Sequence, residues 1–445
     1  MIKESPAIEI LRKALSFSEA DQTEMVLIAE ERNLTRFAES VIHQNMARVD
    51  HTLMCRAVSG NSAGVSVTND LSENTTRRLI DDARKVTEQM PPDPDFPGLV
   101  KSPPARRYPG YVKKTAESSA RDRAKVVEKL VRIARREMLD CSGALDIRTT
   151  VTAVCNSLGT VQYFDETTAQ LTLTVSDKDG CSGWSQGFSR DIEQIEVEDI
   201  ARTAVRKVMS SKTPETLPAG QYTVILEEAA IASLLLFLAF LGFGGKTLVQ
   251  GRSFMSRKIG ETITGENITI VEDPFNPAIR HIPFDYEGVP KRKVILIENG
   301  IARGGVYNRY YAKKAGVEST GHALPPNNPY GPYPKAMAIS PGEATMEEII
   351  ASTERGILIT HFWYMNFLNP MKTMVTASTR DGTLLIEDGK IKAPLEDMRI
   401  AQSILEAFAN CEMMTRERKL CPQYGAMMYI PAMKIKDFNF SEVES

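Results

Sequence analysis

Over residues 5–16 the apolar side chains recur at helical spacing, with Ile8, Ile10, Leu11 and Leu15 on one face, which predicts an amphipathic helix. Alternating, β-branched runs follow at 24–31, 34–43, 51–58 and 63–69; between the last two, Ser59-Gly60-Asn61-Ser62 is a hairpin signal. Ser72 stands where it can cap a helix that reaches Glu88 and buries Leu79, Ile80, Ala83 and Val86. The order then returns: a charged helix over 119–139, strands over 145–156 and 160–177 turned by Asn156-Ser157-Leu158-Gly159, a third run at 184–189 and a helix over 197–210. Helix, strands, helix thus occurs twice, which predicts two related α+β layers although the residues do not match. Between them, prolines from Pro91 to Pro109 predict an extended surface connection.

The pattern changes after Pro214, Pro218 and Gly220, which mark a boundary between domains spanning 1–213 and 219–445. Residues 221–226 read as a short buried strand, two acids follow at Glu227 and Glu228, and an apolar run fills 229–241. That run is shorter than the about 20 residues a bilayer needs and apolar on every side, so it predicts a helix buried in protein. Gly242, Gly244 and Gly245 end it. Beyond it, strands are predicted at 266–274, 294–305, 337–342, 356–367, 372–379 and 382–391. Tight turns fall at Glu298-Asn299-Gly300 and Glu387-Asp388-Gly389, and short helices at 346–352 and 400–410. The second domain is therefore expected to be antiparallel and β-rich, and the whole chain α+β.

Composition narrows the function. A chain of 445 residues with 42% hydrophobic and 25% charged residues has the makeup of a globular protein of about two domains. A net charge of −3 supplies no electrostatic reason for nucleic acid or an anionic membrane as partner. The amino-terminal stretch lacks a signal-peptide core, and the six cysteines show no C-x-x-C spacing, so a cytoplasmic protein with reduced thiols is expected.

Two acids at the head of a buried helix occupy the place where a helix-borne zinc protease keeps its ligands. The five histidines, His43, His51, His281, His322 and His361, lie too far apart in sequence to share one helical face. Glu227 and Glu228 therefore read as partners of the helix dipole or as ligands of a hard cation, and Cys421 as a buried thiol or a lone thiolate. No G-x-S-x-G elbow marks a nucleophile, and residues 242–247 have neither the spacing nor the strand-to-helix setting of a P-loop. The basic clusters 291–293 and 416–419 read as solvated faces. Asp285 and Glu287, with the loop Thr320-Gly321-His322 and the prolines after it, read either as a groove wall or as a solvated connector.

Several segments stand in order from Leu217 to Ile391: LPAGQYTVILEEAA, FDYEGVPKRKVILIENGIARGGVYNRYYAKK, STGHA, SPGEATMEEIIASTERGILIT and LLIEDGKI. Together they resemble the TldD/PmbA family, once labelled modulators of DNA gyrase. The resemblance implies an α+β amino-terminal domain, a β-rich carboxy-terminal domain and cytoplasmic homodimers or heterodimers. It also implies a peptidase branch, TldD, that holds zinc on H-E-x-x-x-H with a later cysteine. Those positions fall here on Glu227, Glu228, Ala232 and Cys421, so both histidines are replaced. The chain is thus similar to the PmbA (TldE) branch. The resemblance then implies a metal-free subunit, with zinc only in a TldD-like partner, that helps process peptides or degrade unfolded proteins. Its peptide-wall candidates are Asp285, Glu287 and Thr320–His322. Two alternatives stay open: an active peptidase using Glu227, Glu228, Cys421 and a distant histidine, and a peptide-binding scaffold with no proteolytic partner.

Overall fold

The computed structural model describes residues 2–178, 180–209 and 213–442. The chain is α+β and forms two domains, each built on its own sheet. In the first, α1 (Glu4–Leu15), β1 (Gln22–Ala38), β2 (Val41–Ser59), β3 (Ser62–Thr68) and α2 (Glu73–Gln89) are followed by a short α3 (Lys113–Ala116). The order then repeats as α4 (Ala120–Arg136), β4 (Asp140–Asn156), β5 (Val161–Ser176), β6 (Ser182–Ser189) and α5 (Val197–Met209). Two layers were expected; the halves instead join edge to edge, β1 antiparallel to β4, in one six-stranded sheet of order β3-β2-β1-β4-β5-β6. Alternation along β4 shows why the helices share a face: Leu145 and Ile147 pack with α4 and α5, and Ala153 and Cys155, an even number of residues on, pack with α1 and α2. A glycine lets each half's last helix approach its edge strand. A Cβ on Gly64 would meet Ala83 O at 2.5 Å, and one on Gly183 would meet Ala204 O at 2.2 Å.

Two local expectations change. The run 34–43 is not one strand, because Glu39 and Ser40 turn the chain at φ 50° and 60° between β1 and β2. No glycine or asparagine marks that turn; Ser40 is held from outside, its N–H donating to Cys141 O and its hydroxyl to Asp140. Ser72 is the N-cap residue of α2 but its hydroxyl donates to Asp70 rather than capping. Ser210, predicted to end α5, lies outside the described residues. The proline-rich segment is extended as expected, pinned where Asn156 and Gln162 side chains donate to Val100 O and Pro103 O.

In the second domain β7 (Gly220–Leu226) leads into α6 (Glu228–Gly242) and α7 (Gly245–Val249), the latter unforeseen. Short pieces follow: β8 (Ile270–Glu272), β9 (Val294–Glu298), β10 (Ile301–Ala302), α8 (Arg309–Ala315), β11 (Ala336–Ile339) and α9 (Met346–Ala351). Longer ones complete the sheet: β12 (Arg355–Asn369), β13 (Met374–Glu387), β14 (Lys390–Pro394), β15 (Arg399–Ser403), α10 (Ile404–Ala409), β16 (Cys411–Gln423) and β17 (Ala426–Ser441). The sheet is mixed rather than antiparallel, since β7 runs parallel to β12 and β11 parallel to β17. β7 pairs with both β12 and β17, and β17 runs on through β15 and β13 back to β12, so five strands close a ring. Both predicted tight turns form, with Asn299-Gly300 and Asp388-Gly389 at positive φ. The stretches 372–379 and 382–391 merge instead into β13 and β14, and the predicted helix 400–410 begins as strand, because Ile400 pairs with Ala377 and only Ser403 starts a helix.

α6 is apolar on all sides and lies in the largest core, where Ile231, Leu234, Leu235 and Leu238 are fully buried. No helix among the described residues is long and apolar enough to cross a membrane.

The domains meet where Val26, Met54, Val154 and Phe164, on the helix-free face of the first sheet, receive Ile282 and Phe284 of the second domain. Glu24 is enclosed beside this contact, with Arg56 3.6 Å from its carboxyl and Glu287 sharing the same guanidinium. Burial raises its pKa from 4.5 to about 7, against the pull of Arg56. The folded chain thus holds this proton longer than the unfolded one, and stability falls as pH rises from about 4.5 to about 7. Glu24→Gln removes that slope. Chemical unfolding at pH 8 should find the variant more stable than the parent by about 1–3 kcal/mol, with the gap closing at pH 4.5.

Candidate functional site

β7 carries the chain straight to the head of α6. Glu227 is the N-cap residue, its N–H donating to Ile359 O, and Glu228 is the first helical residue. Both carboxylates therefore stand at the positive end of the helix. They lie at the domain junction, and an ammonium group from a different element reaches each one. Lys207, from the last turn of α5, places Nζ 2.7 Å from Glu227 and 2.9 Å from the carbonyl of Trp184 in β6. Lys419, from β16, places Nζ 3.3 Å from Glu228.

The surroundings of the two pairs differ. Lys207 is 9% exposed and Glu227 18%, so this pair is held inside the junction. Glu228 is 8% exposed, whereas Lys419 is 61% exposed and approaches from the open side. Burial raises the Glu228 carboxyl, Lys419 opposes this, and Glu227 adds to it. Cys421, two residues along β16 on the same face, is 1% exposed, and burial with the Glu228 charge pushes its thiol up to about 12. Cys421, nearly two hundred residues further along the chain, is thus brought beside Glu227 and Glu228. The lysines beside them carried no signal in the sequence, and 416–419, expected as a solvated face, supplies one: Lys419 faces Glu228 while Arg418 lies over the Tyr429 ring.

This donor set does not fit a tetrahedral zinc. Ala232 is fully buried and brings no ligand atom, both carboxylates already face ammonium groups, and the thiol is held protonated. His361, on the neighbouring β12, is engaged elsewhere: its ring lies tilted against Trp184, centres 4.6 Å apart, and it bonds Asp381, which also accepts from Ser182. Among the described residues no three His, Cys, Asp or Glu side chains lie close enough together to hold a metal ion.

The other predicted residues form a separate group. Asp285 is 2% exposed and accepts from the N–H groups of Glu287, Val289 and Ala323. Glu287 accepts from the Arg309 N–H and lies by Arg56. Thr320 and His322 join in a chain to Glu272, with His322 Nδ1 2.9 Å from the Thr320 hydroxyl and Nε2 3.2 Å from Glu272. Gly321 turns at φ 72°, where a Cβ would meet Pro290 O at 2.5 Å. These side chains tie the loops to one another and to the first domain. Neither the solvated-connector reading nor an open wall of side chains describes them. Lys291, expected in solvent, is 7% exposed.

A family profile described as the PmbA/TldA metallopeptidase C-terminal domain matches residues 219–442, just over half of the chain. A metalloprotease of Methanothermobacter thermautotrophicus is 24% identical over 274 residues, which cover 58% of this chain and 59% of that one. A metalloprotease PmbA homolog of Haemophilus influenzae is 23% identical over 421 residues, covering 91% and 88%. With the first relatives, then, the chain matches only about half to three-fifths of their length. In three dimensions, TldE from Thermococcus kodakarensis superposes with a TM-score of 0.89 at 24% identity over 98% of this chain and 100% of that one. A putative modulator of DNA gyrase from Thermotoga maritima gives 0.86 at 18% identity with the same coverage. Those two likenesses speak for the fold, and the profile over the whole second domain carries the assignment: this chain belongs to the PmbA/TldD metallopeptidase family.

Proposed function

We propose that this chain is the metal-free subunit of a heteromeric zinc peptidase, helping a zinc-bearing relative to process peptides or degrade unfolded proteins. One observation carries the reading: at the head of α6, Lys207 and Lys419 bring fixed positive charge to Glu227 and Glu228, where the family's peptidase branch would have a cation. A protein ammonium neutralises the carboxylates permanently, so the pair is stable without metal and has no vacant ligand set to offer one. Nearby, β6 is an edge strand paired on one side only, and β16 pairs with β17 and, on its other side, meets only the short segment at Ala344 opposite Thr415. Backbone pairing along the open parts of such edges would hold an extended peptide with little sequence preference.

An exposed apolar strip supports association. Trp363, Tyr364, Phe367, Leu368 and Met371 are 40–78% exposed at the end of β12 and the turn after it, and Phe367 lies 4.7 Å from Phe237 of α6. The test uses the purified chain alone and mixed with a TldD relative that carries H-E-x-x-x-H. Light scattering and elemental analysis should find no stoichiometric zinc in the chain alone, and a mixed complex in which zinc follows the relative. About one zinc per chain in the protein alone, or no complex at micromolar concentration, defeats the proposal.

A further inference from the structure

We propose that Lys291, Lys335, His281 and Arg190 form a buried binding site for a carboxylate anion, where the 274–291 loop of the second domain meets β5 and the end of β6. Lys291 is only 7% exposed, yet its ammonium makes no hydrogen bond or salt bridge among the described residues. Lys335 likewise has no ion-pair partner there, and its Nζ lies 5.9 Å from the Tyr286 ring centre. Burial draws the Lys335 ammonium down to about 8, and the nearby Lys291 charge adds to the effect.

Two further donors in this patch are unpaired. His281 Nδ1 accepts from the Ile282 N–H at 2.9 Å, which assigns the ring proton to Nε2. That Nε2 is sealed from solvent with no partner among the described residues. Lys291, Lys335 and Arg190 all act on the imidazole and, with burial, keep it neutral. Arg190 bonds Glu166 at 2.6 Å and Ile279 O at 3.1 Å, while its Nε is enclosed and unpaired. Buried donors are rarely left unmade, so these two sealed donors, with two ammonium groups lacking an ion-pair partner beside them, point to a ligand that accepts from them.

The acids within range are already engaged. Glu166 holds Arg190, Glu272 holds His322 and the N–H groups of Lys335 and Ala336, and Asp285 holds three backbone amides. They hold the excess positive charge to a small value, which favours a single carboxylate over a dianion such as phosphate. Arg190 also lines a cleft of about 450 Å³ between the domains, with Arg280, Tyr111 and Leu420, and so lies between this patch and open space. The inference stands on these donors and does not rest on the peptidase reading.

The experiment follows the melting midpoint of the full chain against acetate, N-acetylalanine, N-acetylalanine amide and inorganic phosphate at fixed ionic strength. Acetate and N-acetylalanine should each raise the midpoint saturably, while the amide and phosphate should not. A tighter response to N-acetylalanine than to acetate identifies a peptide terminus as the source; the reverse identifies a small free anion. Lys335→Met alone should weaken the response at least tenfold, and Lys291→Met with Lys335→Met should abolish it while raising the ligand-free midpoint. No saturable response to either carboxylate, a stronger response to phosphate, or a response unchanged in Lys335→Met overturns the proposal.

Discussion

Lys207→Met is expected to lower the stability of the chain by about 3 kcal/mol, the low end of the range for breaking a buried ion pair. Methionine keeps most of the lysine stem in place, so little packing is lost and the loss reports the charge. What remains is Glu227, 18% exposed and without the ammonium that lies 2.7 Å away in the parent. Its partial exposure is why the low end applies. Glu227→Gln in the same chain should recover most of the loss, because the uncompensated charge is then gone. Urea unfolding followed by tryptophan fluorescence measures this directly, since the Trp184 carbonyl accepts from Lys207 and its ring lies against His361. If Lys207→Met unfolds like the parent, or Glu227→Gln restores nothing, the two groups are not coupled and the ammonium-for-metal argument fails.

Gly183→Ala is expected to cost about 3 kcal/mol, the upper end of the usual range for overpacking. A Cβ there would stand 2.2 Å from Ala204 O and 2.7 Å from Lys207 Cβ. The first of these is helix backbone and cannot turn aside, so α5 must move off β6 and carry Lys207 away from Glu227. The two effects are linked: in the Gly183→Ala background, Lys207→Met should cost much less than in the parent. Gly304→Ala is the control, because nothing lies within 4 Å of a Cβ there. Unfolding midpoints of the five chains decide the matter; equal costs of Lys207→Met in both backgrounds would show that the glycine is not what seats the lysine.

The elements that the sequence determined are those whose cause is local. α6 was legible because an almost unbroken apolar run between a strand and three glycines can only be buried. The turns at Asn299-Gly300 and Asp388-Gly389 were legible because positive φ at both positions selects those residues. The family segments were legible for the same reason, being continuous stretches in a fixed order. The turn at Glu39-Ser40 was not, since its backbone is held by Asp140 and Cys141 a hundred residues on. β16 and β17 went unread because Arg416–Lys419 and Pro431 interrupt the alternation; in the structure Arg418 lies over Tyr429 of the paired strand and Lys419 meets Glu228 of α6.

The candidate site divides the same way. Glu227, Glu228 and Cys421 could be named from a motif, but nothing in their neighbourhoods predicts Lys207 or Lys419. One lysine comes from the last turn of a first-domain helix and the other from a strand near the end of the chain. Asp285 and His322 could be picked out as unusual residues, yet whether they face a groove or tie loops together depends on which backbone amides and carboxylates meet them. A sequence determines which groups are available and which short stretches take a given backbone shape, because those depend on neighbours along the chain. Which charge faces which, and which donor is left without an acceptor, depends on elements brought together from both domains, and only the tertiary structure decides that.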